Sequence, residues 1–258
     1  MTTQPQPLAL VTGANQGIGL ETCRQLKANG FNVILTSRDE AAGRTAAAQA
    51  GVGYRRLDVT VAADISALAA SLTRDGSRID LLVNNAAISL DGFNSEVVRQ
   101  TLAVNVFAVL AVTDGLLPLI ANGGAIVMVS SGMGELHVYS PAIRARFADP
   151  ALTRDQLVAL VEEFADAVAA GNHTEKGWPS SAYRVSKAAV IALAKILARD
   201  LRGRGIRVNA VCPGWVRTRM GGGSAPRTLE VGAASIMATA LDGSANGGFF
   251  RDGKPATW

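Results

Sequence analysis

The strongest constraint on this chain is a rhythm. Short apolar runs of strand character alternate with segments of helical periodicity almost from end to end. Strands are predicted at 8–11, 31–36, 52–57, 79–83, 125–129, 206–211 and 248–250. Helices are predicted at about 17–29, 40–50, 65–72, 94–121, 182–201 and 229–240. The strand runs are apolar at consecutive rather than alternate positions, as expected of strands covered on both faces. Strand and helix in alternation imply parallel βαβ units with right-handed crossovers. The expected class is therefore α/β: a doubly wound parallel sheet of about seven strands. No Pro- or Ser-rich linker divides the 258 residues, so a single domain over 1–258 is expected. One insertion, about 132–181, breaks the rhythm: it has no obvious strand and carries its own helix signals.

Composition excludes several function classes. The net charge is +4, and no block of Lys or Arg makes a nucleic-acid stripe; the cluster from Arg199 to Arg207 reads as solvated surface. Two cysteines, Cys23 and Cys212, offer no disulfide framework and no paired metal-ligand spacing, which fits a reducing cytoplasm. Residues 1–7 read as a loose tail. The apolar run at 8–11 is too short for a secretion signal, and no run is expected to span a membrane.

Three stretches carry chemistry. Between the first strand and the first helix lies Thr12-Gly13-Ala14-Asn15-Gln16-Gly17-Ile18-Gly19. Glycines there let the backbone approach a pyrophosphate, and the helix N-terminus faces the anion. The spacing is G-x-x-x-G-x-G, and a plain tight turn is the rival reading. The second strand ends at Arg38, a forked cation suited to a ribose 2′-phosphate. A surface arginine held by Asp39 is the rival. Asp58, with Val59 after it, ends the third strand, where a carboxylate can accept from an adenine amino group. Asn84-Asn85-Ala86 ends the fourth, where amides can brace strand ends and a cofactor. Finally, Tyr183 and Lys187 stand four apart, on one face if helical. An ammonium beside a phenol favours the phenolate, so a lowered tyrosine pKa is expected. A solvated helix face would show the same spacing.

Together these residues resemble the short-chain dehydrogenase/reductase family over nearly the whole chain. The matching pieces are TGANQGIG, Asp58, NNAA, Asn105, Ser130-Ser131, Tyr183-Arg-Val-Ser-Lys187 and Val208-Asn-Ala-Val-Cys-Pro-Gly-Trp215. A closer resemblance is to its carbonyl-reductase-like branch, through the insertion, Glu175-Lys-Gly-Trp-Pro-Ser-Ser-Ala-Tyr183, Pro213-Gly-Trp-Val-Arg-Thr218 and the final Trp258. The resemblance implies a Rossmann-type fold and NADPH/NADP+ as cofactor. It also implies a tetrad: Tyr183 as proton donor, Ser131 on the substrate oxygen, Lys187 on the phenol and the nicotinamide ribose, and Asn105 on a relay water. Pro213, Gly214, Val216 and Thr218 would hold the carboxamide and phosphates. There are departures. Ala87 and Ala108 replace glycines usual in the family. Gln16 stands where NADPH-using relatives often carry Lys or Arg, leaving Arg38 most of the discrimination.

The implied activity is reduction of a small-molecule ketone or aldehyde to an alcohol. Alcohol oxidation on a terpenoid or steroid-like substrate, and a silent NADPH-binding regulatory protein, are the alternatives. Met133 and Trp215 are candidate substrate-pocket walls, with core packing as the rival; Cys212 is either a reactive thiol or a buried small hydrophobe. His137 and His173 are far apart, with no acid–His–nucleophile set. A monomer is expected. Thr153-Arg-Asp-Gln156 has capping-box form, and Leu157, Leu160, Val161, Phe164, Ala165 and Val168 then make one apolar stripe ending near Gly171. That helix is long enough to cover the apolar faces of helices 94–121 and 182–201, through which many relatives pair.

Overall fold

Residues 6–258 are described by a computed structural model. Of the expected tail over 1–7, residues 1–5 lie outside the described residues. The strands are β1 (Leu8–Val11), β2 (Asn32–Ser37), β3 (Gly53–Arg56), β4 (Ile79–Asn84), β5 (Ile120–Val129), β6 (Arg207–Val211), β7 (Phe249–Arg251) and β8 (Lys254–Pro255). The helices are α1 (Gly17–Ala28), α2 (Glu40–Ala50), α3 (Ala62–Arg74), α4 (Ser95–Leu102), α5 (Ala108–Leu116), α6 (Pro141–Ala148), α7 (Arg154–Ala169), α8 (Ala182–Asp200) and α9 (Leu229–Leu241). The strands form one sheet in the order β3-β2-β1-β4-β5-β6-β7-β8. All pairs are parallel except β7–β8.

Both sheet faces are buried, as the consecutive apolar runs require. Leu8, Leu10, Leu82 and Ile126 join the core shared with α3, α4, α5, α7 and α8. Their neighbours Ala9, Val11, Val83 and Val127 join the opposite core with α1, α2 and α9. From β1 the chain steps out to β2 and β3, then returns to β4 on the other side of β1. This reversal opens a crevice at the carboxyl ends of β1 and β4, where doubly wound sheets bind ligands.

Three elements depart from expectation. First, the sheet has an eighth strand. Asp252 and Gly253 both have positive φ, 54° and 71°, and join β7 to β8 in a two-residue turn. Asp-Gly is the strong sequence signal for such a hairpin. Second, the helix expected over 94–121 is not one regular helix. A π turn, Ala103–Phe107, separates α4 from α5 and carries Asn105. A short 3-10 turn, Leu117–Leu119, then contains Pro118, and Ile120 already belongs to β5. A proline restricts the residue before it and ends a helix early. Third, the helical run Ser95–Leu119 is long and apolar enough to cross a membrane by length and composition, contrary to the sequence expectation; half of its most apolar window is buried inside the fold. Val98, Leu102, Val106, Val112 and Leu116 supply core contacts there.

The insertion is helical. Ser140 caps α6 and Pro141 occupies its first turn, a start signal present in the sequence but not used above. The capping box at Thr153 and Gln156 forms in both directions. Helix α7 has sixteen residues, Arg154–Ala169, with Ala170 as C-cap and Gly171 at φ 73° after it. Its stripe packs against α4 and α8. Phe164 stacks near Phe93 (6.3 Å between ring centres) and Trp178 (5.3 Å).

Candidate functional site

A cleft of about 900 Å³ runs from the glycine loop, across the carboxyl ends of the central strands, to the start of α8. Its glycine end is built for close approach. Gly13 has φ 60°, and a Cβ there would lie 2.8 Å from the Ala86 Cα. A Cβ on Gly19 would lie 2.9 Å from the Ala14 Cα. Asn85 Nδ2 donates to the Thr12 and Gly13 carbonyls at 2.9 and 3.1 Å, so β4 braces the loop. Thr12 Oγ1 accepts from the backbone amides of Asn85 and Ala86, both at 3.0 Å. Gln16 is the N-cap of α1 and makes no side-chain cap there, so the first-turn amides of α1 are not covered by their own cap. Gly17 and Ile18 line the cleft, and Asn15 lies in the same loop.

Arg38 and Asp58 come together beside this end. Arg38 is exposed at the end of β2. Asp39 caps α2 by accepting from Ala42 N at 2.9 Å, and does not hold Arg38. Burial works to raise the Asp58 pKa, but hydrogen bonds from Thr60 and the nearby charges of Arg38 and Arg56 outweigh it and hold it below the usual value. Val59 is partly buried against the core behind it.

At the other end, Ser131, Tyr183 and Lys187 share the cleft wall. Ser181 caps α8, accepting from Arg184 N at 3.3 Å, and so sets the direction from which Tyr183 projects. Ser131 follows β5 and accepts from Met133 N at 3.1 Å. Lys187 is 3% exposed; its Nζ donates to Val129 O at 3.0 Å and lies 5.4 Å from the centre of the Tyr183 ring. The expected lowering of the Tyr183 pKa is not found. Burial pushes the phenol up to about 12, while the Ser131 hydroxyl facing it works the other way. Burial also takes Lys187 down to about 8. Desolvation disfavours each charged form and is the largest cause of both shifts.

Asn105 lies behind this wall, 1% exposed. Its Oδ1 accepts from Ile88 N at 2.8 Å, and its Nδ2 donates to Ile88 O and Ser186 Oγ at 2.9 and 3.1 Å. Ser186 in turn donates to the Tyr183 carbonyl at 2.8 Å. The side chain therefore ties the loop after β4 to α8. The neighbouring Asn84 donates to Thr113 Oγ1 at 3.1 Å.

The loop after β6 closes the cleft. Pro213, Gly214, Trp215, Val216 and Thr218 line it, and Thr218 Cγ2 would be 3.6 Å from a Cβ on Gly17. Met133 and Trp215 are cleft walls and not core residues, being 41% and 57% exposed. Cys212 is buried; its sulfur accepts from Gly132 N at 3.1 Å and Gly214 N at 3.4 Å. Sequence reasoning missed several cleft residues: Ser89, Leu90, Met220, Arg227 and Arg251. Only Arg251 had a local signal, its place beside the Asp252-Gly253 turn.

The chain is similar to known proteins over nearly its whole length. The short chain dehydrogenase family model matches residues 7–143, and one described as enoyl-(acyl carrier protein) reductase matches 151–242. The NADPH carbonyl reductase 1 of Sus scrofa is 38% identical, covering 97% of this chain and 94% of its own. That of Mus musculus is also 38% identical, covering 98% and 99%. Salutaridine reductase from Papaver somniferum superposes with a TM-score of 0.88 at 31% identity, covering 95% of this chain and 99% of its own. An NADPH-bound carbonyl reductase from chicken fatty liver superposes with a TM-score of 0.74 at 27% identity, covering 99% and 96%. With matches of this extent, the chain belongs to the short-chain dehydrogenase/reductase family.

Proposed function

We propose that this protein is an NADPH-dependent carbonyl reductase, reducing a ketone or aldehyde to an alcohol. The observation that carries the reading is the convergence of Ser131, Tyr183 and Lys187 on a cleft that begins at a glycine loop. The loop fits a dinucleotide: Gly13 and Gly19 let it pack tightly on Ala86 and Ala14, and the first turn of α1, uncapped by its N-cap side chain, opens at the cleft. Gly13, Asn15, Gln16, Gly17, Ile18 and Gly19 would hold the pyrophosphate. Arg38 would meet the 2′-phosphate, Asp58 and Val59 the adenine, and Asn85 and Ala86 the ribose side. Pro213, Gly214, Val216 and Thr218 would hold the carboxamide and phosphates. When bound, NADPH supplies the hydride.

The chain's own residues do the rest. A phenol held near 12 stays protonated at neutral pH, so Tyr183 has a proton to give to the carbonyl oxygen. Ser131 Oγ holds that oxygen as negative charge develops. Lys187, charged below about pH 8, offsets charge on the phenol as the proton leaves. Asn105 acts through Ile88 and Ser186, fixing the loop and helix that carry the wall. Spectrophotometry at the reduced-nicotinamide band with a carbonyl panel tests this; NADPH binding without turnover of any carbonyl would overturn it.

Cofactor choice rests on Arg38. A charge-assisted contact contributes ~1.5–3 kcal/mol, or roughly ten- to hundred-fold. NADPH is expected to outperform NADH by about that factor, and Arg38→Ala to narrow the gap; equal use of both by the unmutated enzyme would refute the assignment. A second expectation concerns pH. Lys187 is an ammonium below about 8 and neutral above it. The profile of kcat/KM for NADPH, which reports the free protein, should therefore fall on the alkaline side of that value. A flat alkaline limb would exclude Lys187 from cofactor binding.

The reading also takes the enzyme as a cytoplasmic monomer. Helix α7 lying on α4 and α8 supports monomerhood, since it occupies the face a partner would need. Two free, buried cysteines fit a reducing compartment. Light scattering should give a mass near 26.7 kDa; a stable dimer or tetramer would reject the first part. Activity confined to a membrane fraction would reject the second.

A further inference from the structure

The cleft has a one-sided charge. Lys187, Arg219, Arg227 and Arg251 line it, and no Asp or Glu does among the described residues. Three of these cations have an evident use. Lys187 sits under Tyr183 and bonds Val129 O. Arg227 is neutralised by Asp252 through two contacts, 2.6 and 2.7 Å. Arg219 follows Thr218, which faces Gly17, so it belongs to the phosphate end.

Arg251 is different. It ends β7, and the tight Asp252-Gly253 turn fixes its place at the carboxyl edge of the sheet. Its guanidinium lies against Gly132, where a Cβ would collide with Nη2, so it stands next to Ser131 at the reacting end. Its ion pair, with Glu135, uses Nη2 alone at 3.3 Å, and Glu135 also faces His137 at 3.6 Å. The Nε is buried and has no hydrogen-bond partner among the described residues, although the side chain is 40% exposed to the cleft. The cleft mouth is apolar: Leu90, Met133, Trp215 and Met220 line it from three loops and are all exposed.

We propose that Arg251 anchors a carboxylate on the substrate, making this enzyme a reductase of oxo acids with an apolar body. This rests on the carbonyl-reductase reading and narrows its substrate class. The carbonyl lies at Ser131 and Tyr183, the apolar body against Met133 and Trp215, and the carboxylate on the terminal nitrogens of the guanidinium, since Nε is buried. An arginine fork matches a carboxylate and gains in a partly desolvated site. Glu135 takes one nitrogen and keeps the group aimed.

The test uses matched pairs, medium-chain oxo acids and their methyl esters, at saturating NADPH. The acid should exceed its ester in kcat/KM by roughly ten- to hundred-fold, mostly through KM. That preference should shrink as salt rises. Arg251→Gln should bring the acid down to the ester and leave the ester nearly unchanged, and Arg251→Lys should restore part of the preference. Equal use of acid and ester by the unmutated enzyme would overturn the proposal. So would an equal loss on both substrates in Arg251→Gln, which would assign Arg251 to bracing the turn that follows Ser131. Should the variant fail to fold, the salt dependence of the unmutated enzyme still decides. Should no carbonyl be reduced, the proposed function falls, and calorimetry of octanoate against octanamide with the NADP+-loaded protein decides the anchor separately. Octanoate binding tighter by the same factor supports it, and equal binding rejects it.

Discussion

Tyr183→Phe is expected to lower kcat by at least ~10²-fold while leaving NADPH affinity nearly unchanged. The substitution keeps the ring, its place on α8 and its contact with the Lys187 ammonium, and removes one oxygen. That oxygen is the proton donor in the proposed mechanism. Its burial raises its pKa to about 12, which keeps the proton on until a more basic oxygen appears beside it. Hydride arriving at a carbonyl creates such an oxygen. The measurement is kcat at saturating carbonyl alongside NADPH binding by fluorescence. A variant keeping most of its turnover would remove Tyr183 from the mechanism.

The second large effect concerns stability. Phe164→Ala should cost about 3–5 kcal/mol, the range for removing a buried aromatic ring. Phe164 is fully buried, and its ring meets Phe93 from the loop after β4 and Trp178 from the segment leading into α8. Glu162, two positions earlier, is exposed, and Glu162→Ala should change stability by less than about 0.5 kcal/mol. Urea unfolding monitored by fluorescence distinguishes them: the Phe164 variant moves the midpoint with its slope kept. A Phe164 loss below about 1 kcal/mol would mean that α7 is not integral to the core it covers. Because Trp178 precedes Ser181 and Tyr183 closely, the insertion and the helix that carries Tyr183 share this packing.

Much of the site was legible because its parts are local. The glycine loop needs only a strand, a turn with positive φ and a helix start, all within residues 8–19. Tyr183 and Lys187 need only helical spacing. The capping box at Thr153 needs four residues, and its helix began where the sequence placed it. The Asp252-Gly253 turn is equally local, so the hairpin that adds the eighth strand was also legible in the sequence.

Other features depended on residues distant in sequence. Spacing put an ammonium near the phenol of Tyr183, and from that pair alone a lowered pKa followed; the opposite sign comes from the walls that exclude water from both groups. The hydrogen bonds of Asn105 depend on a π turn and on Ile88 and Ser186, which no local motif links to it. The partners of the charged groups were equally hidden: Asp39 turned to cap α2, Asp252 took Arg227, and Glu135 took one nitrogen of Arg251. By itself the sequence determined the α/β class, the glycine loop, the Tyr–Lys pair and the insertion helix, because short-range backbone geometry and periodicity dictate them. Only the tertiary structure decided which charges are paired, which groups are dry and which way each pKa moves, because desolvation is a sum over every element packed around a group.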